Sequence, residues 1–83
     1  MERKKAVALK YDSSRDVAPK ISAKGQGLIA EKMIELAKTH GVPIHEDPAL
    51  LSLLFPLELD YPIPETLYQA VAEVLAFIYR RHK

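Results

Sequence analysis

The sequence contains no cysteine, which excludes disulfides and thiolate chemistry and fits a reducing compartment. An excess of charge of either sign is also missing. Twelve Lys and Arg against eleven Asp and Glu leave a formal net charge of +1, which gives no general case for a nucleic-acid or anionic membrane partner. Long apolar runs are lacking too. The longest, Val74 to Tyr79, falls far short of the roughly 20 residues that cross a bilayer, so no membrane insertion is expected. The charged start, Met1-Glu2-Arg3-Lys4-Lys5, leads into no long apolar segment and is not a secretory signal. Repeats and low-complexity tracts are absent. What remains is one soluble, intracellular domain over residues 1–83, small enough to bury only about 60% of its unfolded surface. Residues 1–5 are expected to be disordered.

The stretch Val17 to Gly27 organises the rest. Ile21 and Ala23 alternate with Lys20, Ser22 and Lys24, the period of a strand with one buried face. Pro19 offers no N–H and belongs at an edge or just before pairing begins, while Gly25 and Gly27 permit a sharp strand-to-helix turn. An earlier strand is expected over Ala6 to Tyr11, with Val7, Leu9 and Tyr11 on one face. The polar turn Asp12-Ser13-Ser14-Arg15-Asp16 returns it to an antiparallel neighbour. A helix over about 26–40 shows a wide apolar face of Ile29, Ala30, Met33, Ile34, Leu36 and Ala37 and ends at Gly41, with Pro43 beyond. Val42 to Glu46 is expected as a third strand, joined by a right-handed crossover in parallel pairing. Asp47-Pro48 predicts an N-cap with Pro in the first turn of a helix reaching Phe55. An irregular connection, Leu57 to Ile63, precedes a last helix opened by Pro64-Glu65, with only Gln69 and Glu73 strongly polar up to Tyr79. It is expected to be the most enclosed element. The fold class is therefore α/β, a small mixed sheet of three strands packed with three helices.

Chemistry-bearing clusters are few. His45-Glu46-Asp47 would point to alternate faces of a strand and so not converge on one ion; no metal site and no cofactor are expected. His40 suits a helix C-terminus, and His82 lies in a tail. Ser13-Ser14 has no neighbouring base to activate it. Lys24-Gly25-Gln26-Gly27 lacks the remainder of a phosphate-binding loop. The basic ends, Arg3-Lys4-Lys5 and Arg80 to Lys83, carry no interleaved aromatics and suit solvated termini better than a nucleic-acid surface. No catalytic residue is assigned. The small, apolar entrance Ala18-Pro19 is the first candidate for a binding surface.

Four blocks in order carry a resemblance: Ala-Val-Ala-Leu-Lys-Tyr-Asp (6–12), Ala-Pro-Lys-Ile-Ser-Ala-Lys-Gly (18–25), Gly-Val-Pro-Ile (41–44) and Ile-Pro-Glu-Thr-Leu-Tyr-Gln-Ala-Val-Ala-Glu-Val-Leu-Ala (63–76). Together they closely resemble the cytoplasmic domain of FlhB-type proteins, the export switch of the flagellum and related type III secretion systems. In that family transmembrane helices precede the domain, and an Asn-Pro-Thr-His motif breaks at its Asn–Pro bond by cyclisation of the Asn side chain. Met1, Glu2, Arg3 and Lys4 occupy the corresponding positions here, so no autocleavage is expected. The resemblance implies a stand-alone counterpart of the cleaved fragment. Such a chain would lack the strand supplied from before the cut. Ala6, Val7, Ala8, Leu9, Lys10 and Tyr11 would then form an edge open to a donated strand or to self-pairing, unless the polar Glu2 to Lys5 segment discourages it.

The resemblance further implies a non-catalytic docking pocket at Ala18 and Pro19, with Ala72 and Leu75 on the last helix. Its partners would be flagellar rod and hook export substrates or other export-apparatus subunits, met in the cytoplasm or at the inner face of the cytoplasmic membrane, with an influence on substrate-specificity switching. A decoy that competes with the membrane-bound switch is a rival within the same system. A nucleic-acid module using the basic termini is a rival of another class. For Ala72 and Leu75, ordinary helix packing is the plain alternative.

Overall fold

The computed structural model describes residues 4–12 and 14–81, with the backbone alone at Tyr79, Arg80 and Arg81. Ser13, the Met1 to Arg3 start and the His82-Lys83 end lie outside the described residues. Two strands, β1 (Lys5–Lys10) and β2 (Lys20–Gln26), pair antiparallel. Three helices follow: α1 (Leu28–Thr39), α2 (Pro48–Leu54) and α3 (Tyr68–Arg81), the last entered through a 3-10 turn at Glu65–Leu67. Of the 1–5 segment, only Lys4 and Lys5 are among the described residues. Lys5 is already strand, and the Lys4 carbonyl accepts from the Gly27 N–H at 2.7 Å.

The ladder is interrupted once. Ala8 faces Ala23 but Leu9 faces Ile21, so Ser22 has no partner and forms a bulge. One extra residue turns the side chains beyond it to the opposite face. The expected single face carrying both Ile21 and Ala23 is thus corrected. Ile21 lies with Val7 and Leu9 toward α2 and α3, in a core of Ile21, Leu50, Leu54, Ile63 and Val71. Ala23 and Gly25, opposite Ala8 and Ala6, make a floor of small residues on the other face. There α1 packs, with Ile29 and Met33 against Gly25 and with Ala30 fully buried. The result is three layers.

The third strand does not form. Residues 42–47 are irregular and the sheet has two strands, so there is no parallel crossover. Pro43 removes a donor from that segment. The edge of β2 it would have used is also taken. Asp60 N–H donates to the Ile21 carbonyl at 2.9 Å, Ile63 N–H donates to the Pro19 carbonyl at 3.0 Å, and Lys20 bridges Pro62. Pro19 therefore lies just before β2 rather than at an open edge, and its carbonyl is the group that bonds. Asp60 makes the turn at φ 63°, a left-handed conformation that Asp tolerates better than most residues.

The helix signals are local and hold. Gly27 (φ 64°) breaks strand into helix, and Gly41 (φ 70°) ends α1. The Val42 N–H reaches the Ala37 carbonyl at 2.8 Å and the Gly41 N–H the Lys38 carbonyl at 3.3 Å, the paired bonds of a Schellman end. Asp47 caps α2, its Oδ1 accepting from the Leu50 N–H at 3.1 Å. The last helix is less enclosed than expected: Val71 is fully buried, but Ala72 is exposed and Phe77 is 46% exposed. In a chain of this size a helix finds enough partner surface for one stripe only.

Candidate functional site

Ala18, Pro19, Ala72 and Leu75 occupy different environments. Ala18 is 2% exposed, Pro19 is half-buried, Ala72 is exposed and Leu75 is half-buried. They are linked through the core. The Pro19 carbonyl holds the Ile63 N–H, and Leu75 packs against the cluster that contains Ile63. Ala18 is thus core, while Pro19 and Ala72 reach the solvent. Ala72 and Leu75, three residues apart on α3, share a face.

Exposed apolar groups gather near the Pro19 end. Val17 is 90% exposed and Tyr61 65%, and the Lys20–Pro62 bridge ties their two segments together. The sequence signalled Val17 weakly and Tyr61 not at all, because the 60–63 segment reads as an irregular linker until its pairing with β2 is seen. A second apolar flank lies on α1, where Leu28, Ile29 and Leu36 are 81%, 63% and 52% exposed. A shallow concavity at the α1 start is lined by Gln26, Gly27, Leu28 and Ile29.

Beside Val17 and Pro19 lies a polar concavity lined by Lys10, Arg15, Asp16, Lys20, Ser22 and Asp60. The turn below it is tightly bonded. Asp12 Oδ1 accepts from the Ser14 hydroxyl at 2.6 Å and from the Ser14 N–H at 3.0 Å, and Asp16 Oδ2 accepts from the Asp12 N–H at 2.9 Å. These bonds to Ser14, helped by the Lys10 charge, hold the Asp12 carboxyl below its ordinary range because they favour its ionised form. The Ser14 part of the turn expectation is thereby accounted for.

The remaining polar groups do structural work. Asp47 is the α2 cap, and the His45 ring meets Phe77 edge-on at 5.8 Å and 63°. His40 Nδ1 lies 2.9 Å from the Leu36 carbonyl. Among the described residues no group of three or more His, Asp or Glu is placed to hold a metal ion. No helix among them is long and apolar enough to cross a membrane. Among the described residues no second strand pairs with β1, Lys5–Lys10, beyond β2; Tyr11, expected at its end, lies just outside the strand.

Comparisons with known proteins give a consistent answer. The profile of the FlhB HrpN YscU SpaS family matches residues 3–78. The Bacillus subtilis protein YlqH is 49% identical over 77 residues, which is 93% of this chain and 83% of YlqH. The flagellar biosynthetic protein FlhB of Salmonella typhimurium is 46% identical over 76 residues, covering 90% of this chain. That of Aquifex aeolicus is 39% identical over 79 residues, covering 94%. The chain spans only 20% and 23% of those two FlhB proteins. A mutated EscU/SpaS C-terminal domain superposes with a TM-score of 0.88 at 23% identity, over 92% of this chain and 95% of that one. The PscU C-terminal domain gives 0.82 at 28% identity, over 88% and 94%.

Proposed function

This chain belongs to the FlhB HrpN YscU SpaS family, and from that premise we propose that it is a non-catalytic binding module of a type III protein export system. It docks export substrates or export-apparatus subunits and influences substrate-class selection, as a counterpart of the FlhB C-terminal fragment. The observation that carries this reading is the alignment of more than nine-tenths of the chain with the flagellar biosynthetic protein FlhB of Aquifex aeolicus. The docking surface comprises Pro19 and Ala72, with Leu75 half-buried and Ala18 in the core. Small apolar side chains of this kind suit the docking of a short peptide segment. The outer edge of β1 offers a second, main-chain mode of attachment to a partner strand.

The test is titration with a purified rod or hook subunit. Pro19→Asp with Leu75→Asp places two carboxylates in the patch. Because Leu75 also packs on the core, Pro19→Asp with Ala72→Asp serves as the fold-sparing companion. Wild-type binding that both folded variants lose by about tenfold or more supports docking at this patch. Equal binding by all three proteins removes the patch, and no binding by the wild type removes substrate docking and turns the search to export-apparatus subunits.

A further inference from the structure

Lys10 and Lys20 stand directly opposite each other across the β1–β2 ladder, so both ammonium groups rise from one face of the sheet into one concavity. Like charges at directly opposed positions destabilise a strand pair. Among the described residues neither ammonium takes part in a hydrogen bond or ion pair. Arg15 lines the same concavity, its Nε 3.8 Å from Asp16 Oδ1, and Asp16 is already engaged by the Asp12 N–H. The Ser22 hydroxyl gives its proton to the Ala8 carbonyl at 3.3 Å. Recognition here therefore rests on charge.

We propose that this concavity is a carboxylate-recognition site, receiving an acidic side chain of the polypeptide that docks beside Val17 and Pro19. The proposal rests on the docking function above and adds the chemistry of the partner: apolar residues with an Asp or Glu next to them. A carboxylate placed between Lys10 and Lys20 relieves their repulsion, an incentive an isolated surface lysine lacks. Asp16 and Asp60 line the same concavity and disfavour a continuous run of phosphates. Asp16 is held by the Asp12 N–H and faces the Arg15 guanidinium, so the opposed lysines are left to meet a single acidic side chain. The site is joined to the docking patch through the backbone, since Lys20 follows Pro19 and bridges Pro62, next to the exposed Tyr61.

The experiment has two arms on the whole chain. In the first, amide and lysine side-chain NMR signals are followed while a short Glu-containing apolar peptide is added, beside its Gln counterpart and a DNA duplex. In the second, Lys10→Glu and Lys20→Glu are titrated with a purified hook subunit. Each variant converts a like-charge pair into an opposite-charge one. Lys20→Glu also leaves the attraction between Lys10 and Asp12 in place, so its melting temperature should hold or rise, which separates lost recognition from lost folding. The expected result is movement of Lys10, Lys20 and Ser22 signals by the Glu peptide alone. Hook-subunit affinity should fall by about tenfold in both variants, with the difference vanishing near 1 M salt, where the screening length is about 3 Å. Silence toward the Glu peptide, with unchanged hook binding by both variants, overturns the proposal and leaves docking intact. A response to the duplex but not to the Glu peptide also overturns it. A response to the Glu peptide with no hook binding by any protein sustains the carboxylate site and overturns hook-subunit docking instead.

Discussion

Lys24 joins two layers through one ammonium. Its pairing with Val7 turns it toward the α2 side of the sheet, where Nζ donates to the carbonyls of Phe55 at 2.9 Å and Leu57 at 2.7 Å. Those carbonyls follow the end of α2, where backbone acceptors lack helical partners. Nζ also lies 5.7 Å from the Phe55 ring centroid, with Lys5 Nζ at 5.1 Å. Lys24→Met keeps most of the stem and removes both bonds, so it should cost about 1–3 kcal/mol in urea unfolding. Lys32→Met, on the exposed side of α1, should stay within about 0.5 kcal/mol of wild type. Equal effects would mean that Lys24 is an ordinary surface lysine. The sequence disclosed the Asp47 cap because a cap and its target lie within one turn. It did not disclose Lys24, whose partners are 31 and 33 residues away. The Lys10–Lys20 juxtaposition was hidden for a similar reason: it depends on the register across the turn, which the Ser22 bulge shifts by one residue.

At the scale of elements, local signals were legible and pairing was not. Helix ends at Gly27, Gly41 and Asp47 follow from backbone freedom and side-chain capping, which act over a few residues. Strand pairing is settled by competition for an edge, and the 60–63 segment won the edge of β2 that Val42 to Glu46 was expected to use. The bulge is a second non-local fact, since alternation alone put Ile21 and Ala23 together. Its consequence is the small-residue floor beneath α1, and Gly25 is the critical tile. A Cβ there would meet Met33 Sδ at 2.9 Å and overlap Ile29. Gly25→Val should therefore push α1 away from the sheet and destabilise the fold by about 1–3 kcal/mol, with Gly25→Ala milder because the Met33 end can yield. Urea midpoints of both variants check the order. A neutral Gly25→Val would mean that α1 is not seated on this face.

At the scale of the whole molecule, the outer edge of β1 is a place where another strand can pair, and its side chains decide what does. β1 is free along one side among the described residues, and such an edge recruits another strand unless something blocks it. A second copy pairing symmetrically and antiparallel must set residues of one face against each other, so its ladder centres on one residue and that residue's mate. Centred on Val7, it sets Lys5 against Leu9 of the other copy. Centred on Ala8, it sets Ala6 against Lys10. Either register places lysines at both ends of a short ladder, and lysine on an edge is a common device against such pairing. The wild type should accordingly sediment as a monomer. Replacing both guards, Lys5→Val with Lys10→Val, should bring in a concentration-dependent dimer. Sedimentation at several protein concentrations reads this directly. A wild type that already dimerises, with no change in the double variant, would show that the lysines do not guard this edge. A dimer confined to the variant would show that they do, leaving the edge to a partner strand whose own side chains tolerate lysine beside them.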